Sequence, residues 1–238
     1  MWSGRQTLNE TGSITNPRSQ PDARLFPPFV LLILASLSAF GQTRLSESVT
    51  VPCAVFEFNQ GLVVEGVAKN SEGDKAGLAE GDVILRWTLG EAKGDIGSPF
   101  DLSEIEEEQE PRGRVTLEGT RGSDEETWVM GYDKWGIKTR PSLPSALLAI
   151  YMEGQELAKE DKFHEAAERW RAAVAEGQKY QCSWLSPWFL LQAAETLNNV
   201  GQWEDSESFY QEAIRQAAGA SPIVRVQLLR ALSRASGN

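Results

Sequence analysis

The chain has 238 residues, 41% of them hydrophobic, which is enough for one large or two modest globular domains. Its 34 acidic against 23 basic residues give a formal net charge of -11, which repels a nucleic-acid backbone and an anionic membrane surface and leaves protein or peptide ligands as partners. Cys53 and Cys182 fall in what read below as different domains, so no disulfide framework is indicated.

Residues 1–26 are polar and aperiodic and predict a disordered stretch. Residues 25–40 then form an uncharged apolar block of sixteen residues, short of the about 20 that a membrane span needs. The length suits the apolar core of a secretory signal, and Ala39 and Gly41 put small residues where a signal peptidase reads, with the cut before Gln42. The polar stretch ahead is longer than a signal's, which a start codon placed too far upstream would explain. Two other readings stay open: an uncleaved anchor, and a buried helix whose first turn Pro27 and Pro28 interrupt. Segment 1–41 is thus expected to be a polar N-terminus plus signal peptide or membrane anchor. The protein is expected to be exported, periplasmic or secreted, with tethering through residues 25–40 as the variant.

Residues 49–58 alternate in part and predict a first strand, with Asn59-Gln-Gly61 turning into the apolar, β-branched run 62–67. Lys75-Ala-Gly-Leu78 can make one helical turn, and residues 82–87 resume a strand after Glu80-Gly81. Glycine at 77 and 81 suits positive φ or close packing. The Gly-rich run 89–99 reads as a loop. Residues 100–110 place Leu102 and Ile105 three apart on one face of an exposed helix ended by Pro111, and 114–121 with 126–130 flank Gly122-Ser-Asp124 as a hairpin.

This order, with Ala76-Gly-Leu78 and Gly81-Asp-Val-Ile84 inside it, resembles a bacterial PDZ domain over about residues 50–131; the domain itself is set at 45–131. The resemblance implies a groove in which an extended peptide adds a strand to a sheet edge beside the longer helix. Carried onto this sequence, Ala54, Val55, Phe56 and Glu57 pair with the peptide, while Leu102 and Ile105 form the pocket wall. The family's Gly-apolar-Gly-apolar loop is replaced here by Val51-Pro-Cys-Ala-Val55. The other reading makes Phe56, Leu102 and Ile105 core and the domain a spacer. Glu104, Glu106, Glu107, Glu108 and Glu110 read as a solvated helix face rather than a metal site, and they disfavour an acidic ligand.

Residues 132–144 hold two prolines and a glycine and read as a linker, packed down by Trp135 and Ile137. From 145 to 238 the composition turns to Ala, Leu, Glu, Gln and Trp at helical spacing. Within this segment Ile150, Gly154, Leu157, Phe163, Ala166, Trp170 and Ala173 recur forty residues later as Leu190, Ala194, Leu197, Trp203, Ser206, Tyr210 and Ala213. The pattern is similar to the tetratricopeptide repeat, lengthened by Tyr180-Gln-Cys-Ser-Trp-Leu-Ser-Pro187. Glu160-Asp-Lys162 and Val200-Gly-Gln202 read as tight turns, and Ser221-Pro222 as the cap and first residue of a fifth helix to about Ser233. That helix is either a cap or the start of a further repeat in a longer chain.

The expected fold class is α+β, a PDZ-like small β-barrel or sandwich with two helices followed by an all-α tetratricopeptide-like array. Catalysis finds little support: His164 starts a repeat helix beside Glu165 as a surface residue, Ser98 and Ser123 lack the flanks of a nucleophile elbow, and Cys182 reads as packing. No phosphate loop, zinc spacing or dinucleotide fingerprint is present, so no cofactor or metal is expected. The function expected is an exported, non-enzymatic adaptor binding protein partners through the groove and the helices, with Trp184 and Trp188 as contacts and Trp203 as repeat core. The alternative is the N-terminal sensory part of a longer membrane-bound signalling protein or enzyme.

Overall fold

The computed structural model describes residues 61–237. The segment 1–41, the expected first strand with Ala54, Val55, Phe56 and Glu57, and Cys53 lie outside the described residues.

The fold is α+β, an open antiparallel sheet followed by helices. Strand β1 (Leu62–Val67) leads through Ser71, whose hydroxyl accepts from the Asp74 N–H, into the short helix α1 (Glu72–Ala76). Gly77 closes that helix at φ 84° and Gly81 turns the chain at φ 93°, both in the left-handed region where a side chain is strained. Strand β2 (Val83–Leu89) follows, and then β3 (Ala92–Asp95) folds back on it in antiparallel register. The loop expected over 89–99 is therefore a hairpin for half its length. Ala92-Lys-Gly-Asp95 has poor strand propensity, and the long edge of β2 imposes the pairing.

Helix α2 (Pro99–Glu104) starts at a capping box in which the Ser98 hydroxyl accepts from Asp101 N–H and the Asp101 carboxylate accepts from Ser98 N–H. The helix does not run regularly to Pro111 as expected. It widens into a π-helical turn (Ile105–Gln109) and tightens into a 3-10 turn (Glu110–Arg112) that includes the proline. The hairpin of β4 (Thr116–Arg121) and β5 (Asp124–Val129) forms as read, with Gly122 at φ 65°.

The segment read as a linker carries a sixth strand, β6 (Ile137–Pro141), antiparallel to β1. The sheet order is β5-β4-β2-β1-β6, so β6 is an edge strand among the described residues, which is where a strand can carry Pro141. The proline and glycine content hid this strand from composition.

Helices α3 (Ser145–Lys159), α4 (Phe163–Gly177), α5 (Leu185–Asn199), α6 (Trp203–Gln216) and α7 (Pro222–Ser236) complete the fold. The forty-residue periodicity is present in the backbone. Lys162 N–H reaches Leu157 C=O at 2.9 Å and Gln202 N–H reaches Leu197 C=O at 3.0 Å, while Asp161 (φ 59°) and Gly201 (φ 76°) take the same left-handed turn position. In the first pair a Cβ on Gly154 would collide with the Trp170 indole, whose Nε1 donates to Tyr151 C=O at 3.2 Å. In the second, Ala194 and Ser206 take that crossing, with Ser206 Oγ donating to Ala194 C=O at 2.9 Å. α7 runs on to Ser236, and Ser221 precedes it without a side-chain cap.

Two apolar clusters result, one under the sheet and one among the helices. α2 and the turn that continues it serve both, since Leu102 and Ile105 are buried with the sheet residues and Phe100 with the helical ones. The described residues all fall within one compact unit.

Candidate functional site

Of the residues read as sites from sequence, Leu102, Ile105, Trp184 and Trp188 are among the described ones. Leu102 and Ile105 are 5% and 4% exposed, in the sheet core rather than along an open wall. β6 touches α2 and is the strand beside β1. Trp188 is 1% exposed, its ring centroid 5.2 Å from that of Tyr151 and 4.9 Å from that of Phe189, so it packs the helical core and offers a partner nothing. Trp184 and Trp203 are half-buried against the same cluster. His164 lies on the surface, 3.7 Å from Asp205. Cys182, read as packing, is 6% exposed in the helical core and is disulfide-bonded.

The glutamate run is not the freely solvated face that composition suggested. Glu106 accepts from Trp135 N–H at 2.9 Å, and burial raises its pKa although that bond opposes the shift. Glu107 pairs with Arg230 at 2.6 Å and with Arg234 at 2.7 Å, and Glu108 pairs with Arg230 at 2.5 Å. The signal in the sequence was α7 itself, which holds Arg225, Arg230 and Arg234 and no acid in a strongly acidic chain. A second tie joins β1 to α3, where Tyr151 Oη donates to Glu65 Oε2 at 2.7 Å and Arg140 Nε lies 3.3 Å from Glu65 Oε1.

Between α5, α6 and α7 lies a cleft of about 280 Å³, lined by Glu195, Asn198, Asn199, Tyr210, Ala231, Arg234 and Ala235. Its geometry follows from helical periodicity. Glu195, Asn198 and Asn199 stand at i, i+3 and i+4 on α5, and Ala231, Arg234 and Ala235 at the same spacing on α7, so each helix turns one stripe toward the gap. The two alanines keep the gap open. The volume lies just below the range for ligand pockets and suits a single side chain.

Glu195 is reached by solvent, yet protein atoms crowd its carboxyl within the cleft, and this desolvation lifts its pKa from 4.5 to about 7. Arg234 and Lys138 pull the other way and are outweighed. The carboxyl has no hydrogen bond or ion pair to a described residue. Tyr210, buried and facing Glu195, is held above the usual phenol range by burial and then by that neighbouring charge. Among the described residues no group of three or more His, Cys, Asp or Glu could hold a metal ion, and no helix is long and apolar enough to cross a membrane. Chemically, the cleft can accept hydrogen bonds through Glu195 and the two asparagine carbonyls and donate them through the asparagine amides and Arg234. No protein-family model matches the chain, and no curated protein matches its sequence.

Proposed function

We propose that the protein is an exported, non-enzymatic adaptor whose helices take a segment of a partner protein at the cleft between α5 and α7. The observation that carries this reading is the pair of matched stripes facing a side-chain-sized gap, polar on α5 and two alanines with Arg234 on α7. Asparagine amides both donate and accept, as a peptide backbone requires. The sheet part we read as PDZ-like on the order strand, short helix, strand, helix, hairpin, and the helical pairs as tetratricopeptide-like on the forty-residue recurrence of their turns. With β6 already beside β1 and α2, the binding role is assigned to the helices first. The disulfide at Cys182 supports residence in an oxidising compartment, where such bonds persist.

The test is a titration of the full chain with pools of capped hexapeptides, followed through the backbone amide resonances of α5 and α7. Saturable shifts, abolished in the Asn198→Ala, Asn199→Ala double variant, are expected. Absence of saturable binding to every pool overturns the reading.

A further inference from the structure

The charged groups around the cleft are unevenly matched. Arg234, at the lip, is 2.7 Å from Glu107. Lys138 of β6, which also faces Glu195, lies 3.8 Å from Glu65 and 3.4 Å from the Gln155 amide oxygen. Tyr210 on α6 stays a neutral phenol. Among the described residues each cation that faces the cleft therefore has an acid of its own, and Glu195 is the charge left without a partner. From the missing counter-charge and the shape of the gap we propose that the cleft receives a cationic side chain, lysine or arginine, of the partner segment, an inference that rests on the adaptor reading above.

The lining suits such an occupant along its length. Ala231 and Ala235 are 6% and 7% exposed and present methyl groups on which an aliphatic stem can lie, while the charged head meets Glu195 and the Asn198 and Asn199 carbonyls. An ammonium has three protons to give, and this set offers four acceptor oxygens, two on the carboxylate and one on each asparagine. An anionic head fits worse, because the one cation at the lip is already held by Glu107 and the chain's net charge of -11 repels it on approach. A bound cation would also restore Glu195 to its charged form, so binding releases a proton near neutral pH.

The experiment uses the full chain and capped hexapeptide pools in which one central position is lysine, arginine, norleucine or glutamate, titrated calorimetrically at pH 6 and pH 8. Norleucine keeps the stem and removes the charge. The lysine and arginine pools are expected to bind at least about tenfold more tightly than the norleucine pool at pH 8, with the advantage shrinking at pH 6. Glu195→Gln should remove the advantage at both pH values. Equal binding of lysine and norleucine pools, or a lysine preference that survives Glu195→Gln, overturns the cationic assignment while the adaptor reading stands. Failure of every pool to saturate overturns both.

Discussion

The Arg121 guanidinium meets the Asp82 carboxylate side by side, Nε 2.7 Å from Oδ1 and Nη2 2.7 Å from Oδ2. Asp82 follows the Gly81 turn and also accepts from Ala79 N–H at 2.8 Å, while Arg121 Nη2 reaches Gly77 C=O at 2.7 Å. One ion pair thus joins the end of β4 to both glycine turns. Solvent reaches only 1% of the Asp82 side chain because the half-exposed arginine lies over it, just beneath the surface.

Burial alone would raise the Asp82 pKa, but the Arg121 hydrogen bond and the Ala79 N–H outweigh it and hold it below the ordinary 3.8. A folded-state value below the unfolded one gives stability that is present above the unfolded pKa and lost as pH falls through the folded one. Asp82→Ala is expected to cost about 1.5–3 kcal/mol at pH 7, the range for hydrogen bonds to a charged group, and to flatten the loss of stability below about pH 4. Urea denaturation of both proteins at pH 3 and pH 7 checks this, and an unchanged acid limb in the variant counts against it. Arg121→Met should lower the midpoint at pH 7 in the same direction.

Gly154 is the small residue that the forty-residue comparison singled out, and the structure supplies its reason in the Trp170 indole crossing directly over it. Gly154→Val must displace a ring that is 1% exposed and bonded to Tyr151 C=O. Overpacking of this kind costs about 1–3 kcal/mol. The equivalent Ala194 already carries the methyl, and Tyr210 stands where the first pair has the larger Trp170, so the cost is specific to the first pair. Thermal unfolding of Gly154→Val beside Gly154→Ala measures it, and a midpoint at or above that of the parent refutes the crossing.

Much of this was legible because it repeats or punctuates. The helical pairs, their turns at Asp161 and Gly201, the glycines at 77 and 81 and the 114–130 hairpin all carry local signals that tertiary packing then reinforces. The misses share a different cause. β3 and β6 are short, poor in strand formers and formed by the strand beside them, so no window of sequence contains the reason for either. Leu102 reads the same whether it faces a groove or a core, and only the presence of β6 and the sheet decides. The cleft joins residues of α5 to residues of α7 across more than thirty positions, and no periodicity within one helix announces such a meeting.

Phe100 is the side chain that α2 contributes to the helical core, 2% exposed among residues of the helical cluster, while its neighbours Leu102 and Ile105 stay with the sheet. Phe100→Ala removes a buried ring at the junction of the two clusters and should cost about 3–5 kcal/mol. If the junction is what that energy supports, limited proteolysis of the variant should accelerate near residues 141–145, between β6 and α3. Cleavage there at the parent's rate would mean that the two clusters are held by other contacts.

Arg230 bridges Glu107 and Glu108 from α7, and these side chains are partly open to solvent. Exposed pairs are weakened by salt, with a screening length of about 10 Å at 0.1 M. A double-mutant cycle of Arg230→Met with Glu107→Gln should give a favourable coupling at low ionic strength that fades in 1 M salt. Coupling that is independent of salt would assign the contact to packing of the arginine stem.

Glu195 works on stability with the opposite sign to Asp82. Its folded-state pKa of about 7 stands above its ordinary 4.5, because the cleft desolvates the carboxyl more than Arg234 and Lys138 compensate it. Between those two values the folded chain holds a proton that the unfolded chain has released, so stability declines as pH rises from about 4.5 to about 7. Because solvent reaches the side chain, the slope is expected to be shallow. Glu195→Gln cannot ionise and should unfold with the same midpoint as the parent near pH 4.5 and a higher one near pH 8, a difference that grows only within this window. A pH-independent difference between the two proteins would mean that the carboxyl does not titrate there. A bound lysine peptide should narrow the gap at pH 8, since its charge takes over the role that the proton plays at pH 5.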